Sequence, residues 1–316
     1  MLSRRALLGA GLLAPTFAHA QGFPSRNLTM IVPFAPGASS DGIARIIGEK
    51  LGEAFGKTVV VENRGGGGGT IGLIALARSA PDGHTLGVGA TGGLAINPHV
   101  PELAVNFNPL KELTPIAKLL DIPLVLVANP DAGFRTLAEM IAQSKQKPGG
   151  ITFGSTGTNS AQHLSVELLK KATGANLVHV PYRGSAPVMT DLLGGQIQMA
   201  STDLTSAAPH IKAGKAIPLA VTSLKRVEPA PDIPTIAELA VPGFEVTGWI
   251  GMLGPAGMDP AIVEQIATPI RQLQSDATYQ QRVRNLASVE AFLGPKDFAA
   301  FLERESAKMK GLVQAS

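Results

Sequence analysis

The chain has 316 residues, 45% of them hydrophobic, with 36 glycines, 24 prolines and no cysteine. That length suggests two domains with enough apolar material for a sizeable core, and the lack of cysteine excludes disulfides, thiol nucleophiles and thiolate metal sites. The 27 basic and 24 acidic residues give a net charge of +3 without any lysine or arginine cluster, which argues against nucleic acid or an acidic membrane surface as a partner.

In chain order, Met1 to Ala20 reads as an export signal: Arg4 and Arg5, an apolar run from Ala6 to Phe17, then Ala18-His19-Ala20 as a small-x-small cleavage site. The run is too short, and too broken by Pro15, for the roughly 20 apolar residues of a transmembrane anchor. Ser3-Arg4-Arg5-Ala6-Leu7-Leu8 also resembles a twin-arginine address, so either that or the general secretory route is open. Without the two arginines, 25 basic residues face 24 acidic ones, a net of +1.

The mature part alternates short β-branched runs with helical ones, the pattern of parallel α/β layers. Strand Leu28 to Val32 leads through a Pro33, Pro36, Gly37 turn into a helix from Gly42 to Phe55, with Ile43, Ile46, Ile47 and Leu51 on one face. Strand Thr58 to Glu62, glycines 65–69, helix Thr70 to Arg78 and strand Thr85 to Gly89 follow. Leu113 to Leu119 and Ile122 to Ala128 are apolar runs suited to carry the chain between domains. A second series then runs helix Thr136 to Lys147, strand Ile151 to Phe153, helix Ser160 to Ala172, strand Asn176 to Val180, helix Ala186 to Leu193, strand Ile197 to Ser201, helix Ser206 to Lys212 and strand Ile217 to Thr222. Phe244 to Leu253 returns as a strand, and helices Pro260 to Leu273, Ala277 to Leu286 and Pro295 to Val313 close the chain.

Two loops carry the candidate chemistry. Pro36-Gly37-Ala38-Ser39-Ser40-Asp41 opens the first helix, where unpaired N–H groups and the positive dipole end favour an anion. The same residues also read simply as an N-cap, Ser39 or Ser40, with Asp41 as a first-turn acid. Gly154-Ser155-Thr156-Gly157-Thr158-Asn159-Ser160 is a second such start, where glycine lets backbone approach a ligand, hydroxyls and an amide add donors, and Ser160 is the expected N-cap. Both loops sit at carboxyl ends of strands, where ligands bind in open α/β sheets.

Enzyme motifs are incomplete. Gly67-Gly68-Gly69-Thr70-Ile71-Gly72 and Gly87-Val88-Gly89-Ala90-Thr91-Gly92 match the dinucleotide fingerprint, as chance allows in a chain this rich in glycine, and beyond the first match the nearest acid, Asp82, lies in a turn instead of at a strand end. Gly52 to Thr58 is one residue short of a phosphate-binding loop and precedes its strand. There is no G-x-S-x-G elbow, and the histidines show no metal-ligand spacing; His163 and His179 read as turn-capping or core imidazoles. The rival to a binding protein is a hydrolase using Ser39 or Ser155 with a histidine brought near by the fold.

Spaced segments then identify a resemblance that runs nearly end to end: Val32-Pro33-Phe34-Ala35-Pro36-Gly37, Val61-Glu62-Asn63-Arg64, Ala80-Pro81-Asp82-Gly83, Ala95-Ile96-Asn97-Pro98, His179-Val180-Pro181-Tyr182-Arg183-Gly184-Ser185-Ala186-Pro187, Asp191-Leu192-Leu193-Gly194-Gly195-Gln196, Pro209-His210-Ile211-Lys212-Ala213-Gly214, Leu219-Ala220-Val221-Thr222-Ser223 and Gly254-Pro255-Ala256-Gly257. The chain resembles the Bug-type extracytoplasmic solute receptors of the tripartite tricarboxylate transporter class. The resemblance implies an α/β, two-domain periplasmic-binding-protein fold of the Venus-flytrap, type II-like kind, with two interdomain crossings, closing on a small carboxylated solute that is passed to a membrane transporter. It implies a periplasmic, monomeric protein with no cofactor, no metal and no catalysis. The domains expected are 22–121 with 251–316, and 122–250.

The ligand residues it implies are Phe34, Gly37, Ala38, Ser39, Ser40 and Asp41 in the first loop, Ser155, Thr156, Gly157, Thr158 and Asn159 in the second, and Thr91, Tyr182, Thr202 and Asp203. Ser39, Ser40, Thr156 and Thr158 are expected to hold carboxylates from opposite domains, and two facing dipole ends favour a di- or tricarboxylate. Three departures from the family pattern stand out. Ala38-Ser39-Ser40-Asp41 replaces Gly-Ser-Thr-Asp and keeps two hydroxyls. Ser201-Thr202 replaces Phe-Asp or Cys-Asp, with Asp203 one place late, which weighs against amino-acid ligands. Five glycines from Gly65 replace Pro-Gly-Ala-Gly-Gly, for which a looser turn is expected.

Overall fold

The computed structural model describes residues 22–100 and 107–315; the export signal expected at 1–20 lies outside them. Strand β1 (Leu28–Val32) is an interior strand of its sheet, next to the edge, and almost wholly buried. Helix α1 (Ser39–Phe55) covers it with Ile43, Ala44, Ile47 and Leu51 and stops at Gly56, which takes the left-handed conformation (φ 62°) and returns its N–H to the Gly52 carbonyl. β2 (Val59–Asn63), α2 (Thr70–Ala77) and β3 (Thr85–Ala90) follow the expected order, and β2 and β3 both run parallel to β1.

The expected start of α1 needs correcting. Its N-cap is Ala38, which offers no side-chain cap, so Ser39 and Ser40 sit inside the first turn with their hydroxyls free of capping. The Asp41 carboxylate reaches back to accept the Gly37 N–H at 3.2 Å, which ties the preceding turn to the helix. The glycines after β2 also depart from expectation. Gly66 to Gly69 all have positive φ and fold a tight 3-10 turn over Gly67–Gly69 instead of a loose one.

After β3 come a π-helical turn (Gly92–Ile96) and α3 (Pro109–Glu112), neither expected. β4 (Leu113–Ile122) and β5 (Leu124–Ala128) are separated by Pro123 alone and belong to different sheets. The second series is α4 (Leu137–Gln146), β6 (Ile151–Ser155), α5 (Ala161–Thr173), β7 (Leu177–Pro181), α6 (Ser185–Leu193), β8 (Met199–Asp203), α7 (Leu204–Lys212), β9 (Ile217–Val221) and the short α8 (Ile236–Leu239). Then β10 (Gly248–Pro255), α9 (Pro260–Leu273), α10 (Ala277–Asn285), β11 (Val289–Leu293) and α11 (Pro295–Ala315) complete the first sheet and its cover.

The sheets are ordered β11-β4-β10-β3-β1-β2 and β7-β6-β8-β5-β9. They are mixed, where an all-parallel pattern is expected from the βα alternation. β10 runs antiparallel to β3 and β4, and β5 antiparallel to β8 and β9. The cause is the double crossing: β4 leaves the first sheet where β10 enters it, so the two connecting strands run opposite ways. Gly248 to Ile250 pair with Ile122, Asp121 and Leu120, which puts these three residues in the six-stranded sheet. Missing β11 follows from its exposed edge position, since Val289-Glu290-Ala291-Phe292-Leu293 has no clean alternation. The crossing is braced from behind: Gly251 has no side chain, and the Phe298 ring fills the space a Cβ would need. Trp249 packs edge-on against Phe298 and Phe301.

Candidate functional site

One cavity of about 440 Å³, including its open side, lies between the two sheets. Helix starts from opposite sides meet on it: Ala38, Ser39 and Ser40 at the start of α1, and Ser160, Ala161 and Gln162 at the start of α5. Phe34, Ile122, Leu124, Ala90 and Trp249 give an apolar wall, and Gly68 and Gly92 form part of the floor. No lysine or arginine among the described residues lines it. Among the described residues no group of histidine and acid side chains is arranged to hold a metal.

Of the residues expected at the site, Phe34, Ala38, Ser39, Ser40, Thr91, Thr156 and Asp203 line this cavity. Ser39 donates its hydroxyl to Asp203 at 3.1 Å, and Ser185 does the same at 3.0 Å. Asp203 is also the N-cap of α7, accepting the Ser206 N–H at 2.8 Å. Its late position in the sequence therefore does not remove it from the cavity, because β8 begins two residues later than the apolar run suggests. Thr91 accepts the Trp249 backbone N–H at 3.0 Å, and Thr156 donates to the Gln162 amide oxygen at 3.0 Å.

The other expected residues lie behind or beside the wall. Asp41 is buried in a network with Arg45 (2.9 and 3.0 Å), Asn63 (3.1 Å) and the Gly37 N–H. Burial works to raise its pKa, but the hydrogen bonds from Arg45, Asn63 and Gly37 and the Arg45 charge outweigh it and hold the carboxyl below the usual range. Gly37 serves that network. Gly157 (φ 130°) and Asn159 (φ 59°) shape the second loop from behind, with the Asn159 N–H on His163 Nδ1 at 3.1 Å, and Thr158 is exposed outside the cavity. Tyr182 donates to Asp191 at 2.7 Å; burial and then that bond push its phenol to about 12. Thr202 is fully buried and its hydroxyl has no hydrogen-bond partner in the structure.

Ser155 meets a histidine, as the hydrolase alternative requires, with Oγ 2.6 Å from His179 Nε2. The pair is structural. Ser155 is fully buried and ties its own loop by donating to the Gly157 carbonyl and accepting the Gly157 N–H. His179 is stacked on His163 at 4.0 Å, and burial, then the neighbouring His163 and Lys170, lower its pKa to about 3, far from a base poised near neutrality. Ser39 has Asp203 as its hydrogen-bond partner and no histidine.

The sequence reading passes over Ser185, Gln162, Trp249 and Gly68. Ser185 opens α6 after Gly184, a loop-to-helix signal like the other two, but Gln162 and Trp249 carry no local mark. Across the cavity mouth the two halves touch backbone to backbone. The Ala35 N–H donates to the Arg183 carbonyl at 3.0 Å, and a Cβ on Gly68 would stand 2.7 Å from the Thr158 carbonyl oxygen.

Two mixed α/β domains, joined by paired crossing strands and closing helix starts over a polar cavity, define a periplasmic binding protein of the Venus-flytrap kind. The family model described as the tripartite tricarboxylate transporter family receptor matches residues 43–316. BugT of Bordetella pertussis is 36% identical over 311 residues, covering 96% of this chain and 93% of that one. The structure of the periplasmic binding protein BugD superposes with a TM-score of 0.86 at 33% identity, over 93% of this chain and 98% of that one. MatC of Rhodopseudomonas palustris, solved with bound malate, gives 0.85 at 28% identity over 92% and 100%. This chain belongs to the tripartite tricarboxylate transporter receptor family. It is a periplasmic solute-binding receptor and not an enzyme, since the family and these neighbours are binding proteins.

Proposed function

We propose that the receptor captures a small carboxylated solute, a di- or tricarboxylate in preference to a neutral one, and hands it to the membrane subunits of a tripartite tricarboxylate-type transporter. The observation that carries this reading is the meeting of the α1 and α5 starts on one cavity that has hydroxyl and amide donors and no lysine or arginine among the described residues. Charge-assisted bonds contribute about 1.5–3 kcal/mol each, against an association cost of roughly 4–15 kcal/mol. With bonds at the strong end of the first range and a cost at the low end of the second, four or five of them reach micromolar affinity, about −8 kcal/mol. Neutral donors also suit release, because a buried ion pair holds tightly once formed. The malate in MatC supports a carboxylate as the class.

We further propose that residues 22–121 with 251–316 and residues 122–250 form the two moving domains, except that Ile122 and Gly248 to Ile250, paired in the six-stranded sheet, move with the first, and that the mature protein is a monomer starting at Gln21. Closure needs only a ligand that touches both domains. Calorimetry and small-angle scattering with mono-, di- and tricarboxylates test the reading together. A saturating carboxylate should compact the protein. A panel that binds nothing, or binding that leaves the scattering curve unchanged, counts against it.

A further inference from the structure

We infer that Asp203, with Ser39 and Ser185, selects carboxylates that carry a hydroxyl or ammonium donor beside the acid group, over plain carboxylates of the same length. This rests on the receptor reading above and deepens it. Asp203 is 3% exposed and lines the cavity together with both serines. One carboxylate oxygen takes the Ser206 N–H; the other takes both serine hydroxyls. No hydrogen bond or ion pair joins Asp203 to a cationic side chain among the described residues.

Each serine hydroxyl has a single hydrogen. With both hydrogens directed at Asp203, the two serine oxygens turn lone pairs towards the cavity. This corner therefore offers acceptors from three side chains and no side-chain donor. A ligand carboxylate placed there would face a carboxylate, and a bare methylene would leave buried acceptors without a partner. A ligand O–H or ammonium N–H satisfies them. Elsewhere on the wall the balance reverses. The Gln162 oxygen is occupied by Thr156, which leaves its amide N–H groups to donate, and Thr91 accepts from Trp249 and keeps its own hydroxyl hydrogen. Ser40 adds another hydroxyl. The cavity thus has separate places for a donor and for carboxylate oxygens.

The Ser39 bond to Asp203 also spans the cleft, between α1 and the end of β8. The donor-bearing carbon is consequently read only when the domains are closed.

The test is calorimetry with succinate, malate and aspartate, which share one four-carbon dicarboxylate skeleton and differ in having no donor, a hydroxyl or an ammonium. Malate or aspartate should bind at least about tenfold tighter than succinate to the wild type. Whichever leads identifies the donor. Asp203→Asn keeps a residue able to cap α7 and should reduce that preference to less than about threefold. Should the variant fail to fold, the wild-type comparison decides alone. Succinate binding as tightly as the other two, or an undiminished preference in Asp203→Asn, overturns the inference and leaves the receptor reading standing. If neither these three nor longer di- and tricarboxylates bind, the receptor reading falls and the inference with it.

Discussion

Replacing Gly68 by alanine should hold the receptor open. Gly68 has a φ of 61°, and the added Cβ would lie 2.7 Å from the Thr158 carbonyl oxygen across the cleft. Both atoms involved are anchored in backbone, so the overlap is relieved only by separating the two loops. Two costs arise and they can be told apart. The left-handed conformation costs a non-glycine residue about 1–2 kcal/mol, open or closed. The overlap costs about 1–3 kcal/mol, as overpacking does, and only in the closed state. Gly67 supplies the control: its φ is 57°, and a Cβ there would meet nothing closer than Ile71 and Thr70 at 3.8 Å, both in its own half. Gly67→Ala and Gly68→Ala should therefore lose similar stability without ligand. Only Gly68→Ala should lose affinity, by roughly 5- to 150-fold, because a smaller share of molecules reaches the binding-competent state. Trp249, the single tryptophan, lines the cavity and serves as the fluorescent probe alongside calorimetry, using the tightest ligand found. Equal affinity losses in the two variants would refute a closure mechanism that depends on this contact.

Four further outcomes are expected. Thr156→Ala should weaken carboxylate binding by roughly 1 kcal/mol or more with little change in the ligand-free melting point, since Ser160 still caps α5. Thr158→Ala, at an exposed position outside the cavity, should leave calorimetric affinity unaltered, and a large loss there would move the ligand out of the cavity described. Asp41 has a folded-state pKa below its ordinary value, so its contribution to stability is present above the unfolded pKa and is lost as pH falls through the folded one. The melting-point gap between wild type and Asp41→Asn should accordingly narrow as pH is lowered below about 4; a constant gap would mean that the Arg45 and Asn63 network adds no charge-dependent stability. Finally, the exported protein should give the intact mass of a chain beginning at Gln21. A mature species that keeps Arg4 and Arg5 would contradict the signal assignment.

Much of the fold is written locally. The strand β1, the helix α9 and the order of the βα units are legible because buried faces repeat at periods of two and 3.6 residues, and Ser160 caps α5 where the sequence places a cap. Even the first crossing shows as two apolar runs, although their break at Leu120 and Asp121 falls short of Pro123, where the chain changes sheets. The polar centre of the site is different in kind. Ser39 and Asp203 are 164 residues apart, and each looks alone like an ordinary helix start. Only the pairing of β8 with β5 and β6, and the approach of the two halves, brings their side chains within hydrogen-bond distance.

The same distinction explains the residues that were expected in the cavity and lie elsewhere. Ser155 and Asp41 have the right chemistry in the right loops, but their side chains are already committed, one to Gly157 and His179, the other to Arg45 and Asn63. The run of glycines reads in sequence as slack, yet in the fold it is one of the places where backbone meets backbone across the cleft, beside the Ala35 bond to Arg183. Composition and periodicity determine which elements form, because those depend on neighbours three or four residues away. Which donors remain unpaired and face the ligand depends on side chains that folding brings together, from Asn63 beside Asp41 to Asp203 beside Ser39, and the tertiary structure alone decides that.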